Sequence, residues 1–306
     1  MKKETNAPHV INSISELHRL LELPKPKHPL VSVINLNEIK CDFDDKINNF
    51  IYNFYSVCTK NDFKGKLKYG QNYYDFDEGI MTFFSPGQVI STAVKEDIVL
   101  SGRWLVIHPD FIQNYSLAKN IKDFGFFSYA THEALHLSDE EEIMITDIMQ
   151  SIYIEYCSVI DGFSQDVIIS QIELLLNYSN RFYNRQFITR KNASNDLLTA
   201  LEKLLTDYFN TNKVAELGLP TVQYISEQLH VSPNYLSDML RSLTGQSTQQ
   251  HIQDKLIEKA KEILTTTSLS VSEIAYLLGY EYPQSFSKLF KNRTNVSPLE
   301  YRSSFN

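Results

Sequence analysis

Two stretches, Ile225-Ser-Glu-Gln-Leu-His-Val-Ser232 and Ile274-Ala-Tyr-Leu-Leu-Gly-Tyr-Glu281, decide the fold of the C-terminal part of this chain. The second repeats the apolar pattern of the first 49 residues later. After one inserted residue, Leu236-Ser-Asp-Met-Leu-Arg-Ser-Leu-Thr-Gly-Gln-Ser247 aligns with Phe286-Ser-Lys-Leu-Phe-Lys-Asn-Arg-Thr-Asn-Val-Ser297. Each copy predicts a short helix, a tight turn and a second helix. The pattern is typical of a helix-turn-helix that occurs twice.

The apolar positions of each copy predict a small core of its own, with the turns at His230-Val231 and Gly279-Tyr280. Between the copies, residues 248–264 predict a capped amphipathic helix that spans roughly 24 Å at ~1.5 Å per residue. A helix of this length can hold the second helices of the two motifs about one turn of double-stranded DNA apart, which is ~34 Å. The predicted core residues are Ile225, Leu229, Val231, Leu236 and Leu240 in the first copy and Ile274, Leu278, Tyr280, Phe286 and Phe290 in the second.

Residues from about 218 to 306 resemble the DNA-binding domain of the AraC family of bacterial transcription regulators. The matching signature is Ser272-Glu-Ile-Ala-Tyr-Leu-Leu-Gly-Tyr280, Ser285-Phe-Ser-Lys-Leu-Phe-Lys291 and Ser297-Pro-Leu-Glu-Tyr-Arg302. Asn295 stands where the family usually has Gly, and Asn tolerates the left-handed backbone next best, so we expect the turn to survive. The resemblance implies a sequence-specific regulator that binds double-stranded DNA.

Polar residues on the outer face of each second helix are the candidate DNA contacts, at the positions where the resemblance implies base readers. Gln and Asn pair well with adenine, and Lys with guanine, whereas Asp238 can accept from a cytosine amine but repels phosphates. For any one of these residues, the alternative is a solvated helix face. The candidates are Asn234, Ser237, Asp238 and Arg241 in the first copy and Gln284, Ser287, Lys288, Lys291 and Arg293 in the second.

Charge is distributed unevenly along the chain. Residues 190–306 contain 12 Lys or Arg and 12 Asp or Glu, so the whole net charge of −8 lies in residues 1–189. Residues 286–306 carry a net charge of +3, whereas residues 232–262 carry none. Because phosphate neutralisation dominates affinity for DNA, we expect the second copy to supply more of the binding energy.

Up to about residue 135 the sequence predicts short strands with frequent turns, which favours a sandwich or barrel. By the same resemblance, this part is similar to the cupin-like β-barrel sensing domain of many family members, and Ser85-Pro-Gly87 supports the match. The predicted fold class is therefore α+β, with a cupin-like barrel, flanking helices and an all-α C-terminal domain. Aromatic side chains that would line a ligand pocket, or alternatively form plain core, are Tyr69, Tyr73, Phe83 and Phe84.

Two long helices are predicted between these parts, one after the capping residue Ser138 and one from Ser164 to about Phe187. Their apolar stripes would either pair with a second copy of the chain or cover the β-domain. We therefore expect a sensing domain over 1–137, a helical dimerisation or linker region over 138–189, and a DNA-binding domain over 190–306. The stretch from Arg190 to Asp196 is the predicted linker.

The composition excludes several other classes of protein. No run approaches the ~18 apolar residues of a membrane span, and the start has no apolar segment typical of a signal peptide. Cys41, Cys58 and Cys157 are far apart, which favours reduced thiols in a cytoplasm. We expect no cofactor and no catalytic residue, although a cupin-type enzyme fused to a DNA-binding tail is the alternative. The expected partners are double-stranded DNA, a second copy, a small-molecule effector and RNA polymerase.

Overall fold

The computed structural model describes residues 8–39, 49–60, 66–69, 72–75, 79–91, 101–159, 161–211 and 213–305. It gives the backbone only for 66–69 and 72–75 and for Asn49, Ser91, Thr131, Lys191, Asn192 and Ala215. The chain divides into two compact units, residues 1–186 (unit 1) and 187–306 (unit 2). Among the described residues, no helix is long and apolar enough to cross a membrane.

Unit 1 contains the strands of the structure, which are mostly short and rich in β-branched and aromatic residues, as strands generally are. They are β1 (His9–Ile11), β2 (Val31–Asn35), β3 (Asn49–Tyr52), β4 (Tyr55–Lys60), β5 (Lys66–Tyr69), β6 (Asn72–Asp75), β7 (Ile80–Phe84), β8 (Val89–Ser91), β9 (Gly102–Ile107) and β10 (Leu135–His136).

The strands form three separate sheets, ordered β1-β3-β8, β10-β7-β4-β9-β2 and β5-β6. In the five-stranded sheet every pairing is antiparallel, and Asn35 of β2 lies opposite Arg103 of β9. The β1–β3 pair is parallel. One core cluster joins Trp104 and Cys58 of this sheet to Phe50 and Tyr52 of β3 and to residues of β1 and the first helix.

The cupin-like barrel that we expected is not observed. The described strands do not close on themselves, because β2 and β10 form the two edges of the five-stranded sheet. Residues 109–133, which the sequence analysis read as mostly strand, instead form two four-residue helices and three 3₁₀ turns. The mixed α+β class is confirmed, and the barrel is not.

The helices of unit 1 are α1 (Ile14–Leu20), α2 (Pro109–Ile112), α3 (Leu117–Asn120), α4 (Asp139–Cys157) and α5 (Ser164–Thr189), the last ending in unit 2. The two long helices begin where the sequence predicts. Ser138 caps α4: its hydroxyl accepts a hydrogen bond from the N–H of Glu141, and the Glu141 carboxylate accepts one from the N–H of Ser138. This pair of bonds is a capping box.

Unit 2 is helical throughout its regular structure. Its helices are α6 (Lys191–Asn210), α7 (Lys213–Leu217), α8 (Val222–Leu229), α9 (Pro233–Thr244), α10 (Thr248–Thr266), α11 (Val271–Leu277), α12 (Pro283–Thr294) and α13 (Pro298–Ser303). Residues 191–196 of the predicted linker belong to α6, and only Arg190 separates α5 from α6.

Candidate nucleic-acid interface

Helices α8 and α9 and helices α11 and α12 form two helix-turn-helix motifs with matching turns. His230 ends α8 in the left-handed region at φ 57°, and the N–H of Val231 donates to Ser226 O at 3.0 Å. Gly279 occupies the same place after α11 at φ 82°, and the N–H of Tyr280 donates to Ala275 O at 2.9 Å. Glycine adopts this backbone without strain, and an added Cβ there would lie 3.0 Å from Cγ1 of Val214.

Each motif encloses the apolar core that the repeat predicted. Ile225, Leu236 and Leu240 are fully buried in the first motif, and Leu229 and Val231 are half-buried. In the second motif the corresponding fully buried or nearly buried residues are Ile274, Leu278, Phe286 and Phe290, with Tyr280 half-buried.

The repeat extends beyond the turns. α9 ends at Gly245, with φ 75°, and α12 ends at Asn295, with φ 64°, so the Asn replaces Gly without losing the left-handed turn. Two residues later, Ser247 and Ser297 cap α10 and α13 with capping boxes. Each motif is therefore followed by a helix in the same local geometry.

The outer face of α9 carries four of the predicted DNA contacts. Asn234 and Arg241 are exposed. Asp238 is half-buried, and its Oδ1 lies 3.3 Å from Nη1 of Arg241. Ser237 is half-buried, and its hydroxyl lies 3.0 Å from Oγ1 of the fully buried Thr248. Ser237 therefore also ties α9 to the start of α10.

The outer face of α12 repeats this arrangement 50 residues later. Gln284, Lys288 and Lys291 are exposed, and Ser287 is half-buried. These positions are spaced i, i+3, i+4 and i+7, so they share one face of the helix. The face carries two lysines where α9 carries an aspartate and an arginine.

Arg293 has a different position from the other candidates on α12. Its Nη2 donates to Oε1 of Gln253 at 2.7 Å, and its Nη1 lies 3.4 Å from Oδ1 of Asp254. Arg302, which the charge count also included, donates through Nε to Leu264 O at 3.0 Å. Two of the four cations in residues 286–306 are thus bonded to α10, which sequence reasoning missed because the partners are about 40 residues away.

The ligand-pocket candidates of unit 1 have less in common. Phe83 is buried, and its ring lies 4.4 Å from that of Phe126 and 6.1 Å from that of Tyr183. Phe84 is half-buried. The side chains of Tyr69 and Tyr73 lie outside the described residues, so the pocket assignment stays a prediction.

A cavity of about 290 Å³ lies elsewhere in unit 1, at the end of the five-stranded sheet under α4. Arg103 lines it and is held by Asn35 Oδ1, Thr146 O, the amide of Gln150 and the ring of Tyr153. Polar side chains dominate the rest of the lining, which includes Asn35, Asn37, Glu38, Thr59 and Thr146.

Metal binding has no evident place in the described part of the chain. No group of three or more His, Cys, Asp or Glu side chains there is arranged to hold an ion. The backbone N–H of His136 donates to Gln186 Oε1 at 2.7 Å, and Nε2 of His132 lies 4.0 Å from Oε1 of Glu133.

Residues 225–304 match the family described as "Helix-turn-helix domain", and the match covers nearly all of both motifs. The HTH-type transcriptional activator RhaS of Escherichia coli is 30% identical over 45% of this chain and 45% of its own length. The lactose operon transcription activator of Staphylococcus xylosus is 22% identical over 89% of this chain and 94% of its own length.

Among solved structures, the C-terminal domain of AraT, a response regulator from Geobacillus stearothermophilus, is 31% identical. It covers 35% of this chain and 84% of that chain, with a TM-score of 0.31. For most of the curated relatives it matches, this chain spans less than half of their length. The helix-turn-helix domain predicted at the C-terminus is confirmed by the domain match.

Proposed function

We propose that this protein is a sequence-specific regulator of transcription that binds double-stranded DNA through both helix-turn-helix motifs. The observation that carries the proposal is the repetition of one polar face on α9 and α12, at the same four positions and 50 residues apart. A helix-turn-helix reads bases from the outer face of its second helix. Two relatives are named as transcription activators, which supports a regulatory role.

The two motifs contribute differently in this proposal. Lys288 and Lys291 present two positive charges from α12, and neither has an ion pair among the described residues. On α9, Asp238 lies beside Arg241 and offsets its charge. Phosphate contacts dominate affinity, so the second motif supplies most of the grip and the first relies more on hydrogen bonds to bases.

The experiment measures binding of the full chain to labelled duplexes by fluorescence anisotropy, at several salt concentrations. We expect affinity for a random-sequence duplex that falls steeply with salt, and enrichment of a defined sequence from a random library. The double variant Lys288→Ala/Lys291→Ala should reduce the salt slope by about two phosphate contacts. Lys119→Ala, an exposed lysine of unit 1, is the control. Binding that is equal in all three proteins would refute the proposal.

In this proposal two copies of the chain form a dimer, chiefly through the helical region 138–189. Helices α4 and α5 carry exposed apolar side chains, with Ile143 64%, Ile154 56% and Leu174 46% exposed. A homodimer interface, whose core is more apolar than ordinary protein surface, would bury such side chains. Sedimentation should show a homodimer that Ile143→Glu/Ile154→Glu converts to a monomer. An oligomeric state that these changes leave unaltered would contradict this assignment.

In this proposal residues 1–137 bind a small-molecule effector, and binding shifts the chain toward the conformation that binds DNA. The protein acts in the cytoplasm. Tyr69, Tyr73, Phe83 and Phe84 remain the pocket proposed from the sequence. The cavity beside Arg103 is a second candidate, because its polar lining suits a small polar molecule. An effector acts only by binding the two states unequally. RNA polymerase is the proposed partner in transcription.

A further inference from the structure

Tyr282 and Ser232 hold equivalent places, because each is the N-cap residue of a second helix and each precedes a proline. The hydroxyl of Ser232 accepts from the N–H of Tyr235 at 3.3 Å, which satisfies one of the free donors at the start of α9. Tyr282 makes no side-chain bond of this kind to α12. The start of α12 therefore lacks the stabilising side-chain cap that the start of α9 has.

The side chain of Tyr282 faces largely into solvent. It is 64% exposed, whereas Tyr280, two residues earlier, packs with its ring 5.8 Å from that of Phe286. A single exposed aromatic residue is ordinary on a protein surface. Here it replaces a capping residue, and it stands two positions before Gln284 on the same reading helix.

The end of the helix at which Tyr282 lies limits what it can contact. In helix-turn-helix proteins the N-terminal residues of the second helix approach base edges in the major groove. The apolar feature that base pairs present there is the C5-methyl group of thymine. The ring of a tyrosine at this position can contact that methyl group, whereas its hydroxyl would donate to a phosphate oxygen, and Tyr282→Phe distinguishes the two contacts.

We propose that Tyr282 is a specificity-determining residue of the second motif, whose ring contacts the C5-methyl group of a thymine next to the base read by Gln284. The inference rests on the proposed DNA-binding function. It goes beyond that function because Tyr282 belongs to neither of the polar faces described above. In this proposal α12 is less stable for want of a side-chain cap, because the residue at the N-cap position contacts DNA instead.

The test compares sequence preferences of the full chain and of three variants, selected from a random duplex library. Tyr282→Ser should lose the preference for one T·A pair next to the Gln284 position, and Tyr282→Phe should keep it. Tyr276→Ser, which removes another exposed tyrosine of the same motif, should change no base preference. Replacing that thymine by deoxyuridine should weaken binding of the unaltered chain about fourfold and leave Tyr282→Ser unaffected.

Thermal unfolding gives a second readout, because Tyr282→Ser should raise stability while it lowers sequence preference. Tyr282→Ser recreates the cap of the first motif, so Tm should rise by roughly 2–8 °C while the thymine preference is lost. A preserved thymine preference in Tyr282→Ser, or a loss that is uniform across sequences, would overturn the inference. If Lys291→Ala weakens binding while Tyr282→Ser alters nothing, only this inference fails. If neither changes binding, the proposed function fails as well.

Discussion

The Nη1 atom of Arg293 lies 3.4 Å from Oδ1 of Asp254, so the last turn of α12 is joined to the middle of α10. The same guanidinium donates to Gln253 through Nη2. Both side chains of the ion pair are partly exposed, at 25% and 39%, so solvent screens the pair. The contact holds α12 against α10, the helix that connects the two motifs.

Arg293→Ala should therefore act on stability more than on phosphate contact. We expect a loss of about 1 kcal/mol in the free energy of unfolding, from a screened ion pair and one hydrogen bond. Chemical denaturation measures it, with Asp254→Ala and the double variant to isolate the coupling. A variant of normal stability whose salt slope drops by one contact would instead place Arg293 on the DNA.

Lys291→Ala should weaken binding to all duplexes alike, because in the proposed function Lys291 neutralises a phosphate and reads no base. The salt slope should fall by about one contact, with a change in stability within about 0.5 kcal/mol. Gln284→Ala should instead relax the preference at one base position. The roles assigned to these two residues are wrong if both variants change binding to specific and random DNA equally.

Asp238→Asn should strengthen binding to random DNA, because the charge that offsets Arg241 at 3.3 Å is removed. We expect the salt slope to steepen by about one contact and any preference for cytosine at that position to weaken. Glu258→Gln makes the same change of charge in the Lys255–Glu258 pair of α10 and serves as the control. Equal effects of the two substitutions would mean that only net charge matters.

Gly245→Ala should destabilise the chain although no atom lies within 4 Å of the added Cβ. The cost of about 1–2 kcal/mol comes from placing a Cβ in the left-handed region at φ 75°. Asn295→Gly should change stability much less, since Asn already tolerates that region. Unfolding curves of both variants test this, and a Gly245→Ala chain as stable as the original would contradict it.

Acid should destabilise the N-termini of α11 and α13, because it protonates the glutamates of their capping boxes. A side-chain bond from Ser270 and then its backbone N–H lower the pKa of Glu273, and the backbone and hydroxyl of Ser297 lower that of Glu300. A carboxylate whose pKa is lowered on folding stabilises the protein above its ordinary value of 4.5, and that contribution is lost as pH falls below it.

Melting temperatures between pH 7 and pH 3 measure this effect. Glu273→Gln keeps an acceptor for Ser270 but cannot be protonated, so its Tm should fall less steeply in this range. Ser270→Ala removes the bonds that the hydroxyl makes and should act in the same direction at lower overall stability. A profile for Glu273→Gln that runs parallel to that of the unaltered chain would exclude this origin.

The sequence predicts unit 2 well because the relevant signals are local. Caps, turns and apolar positions of each motif lie within about 25 residues, and the second copy repeats them. The left-handed turn at Asn295 is confirmed at φ 64°. The Arg293–Asp254 contact was not predictable in this way, because a cation on a helix surface has the same local pattern whether it faces solvent or a neighbouring helix.

Unit 1 was predicted less well because its sheets depend on distant pairings. Asn35 pairs with Arg103 and Val10 pairs in parallel with Ile51, and no local pattern specifies either partner. The sequence predicts mostly strands up to about residue 135, but residues 109–133, with buried aromatics such as Phe111, Phe126 and Phe127, fold into short helical turns. Strand propensity reflects burial on a packed surface, which these aromatics also achieve without a ladder.

Helix α10 runs without a break for 19 residues, about 28 Å along its axis. The capping box of Ser247 fixes its start, and it ends at Thr267, whose backbone is extended. A continuous helix cannot stretch, and one added residue would rotate everything beyond it by about 100°. Any operator of this protein should therefore have two sub-sites with an invariant gap. Insertion of a single base pair between the sub-sites would prevent both motifs from binding at once. An insertion of ten base pairs would return the second sub-site to the same face of the DNA, but it would lie too far away for the second motif.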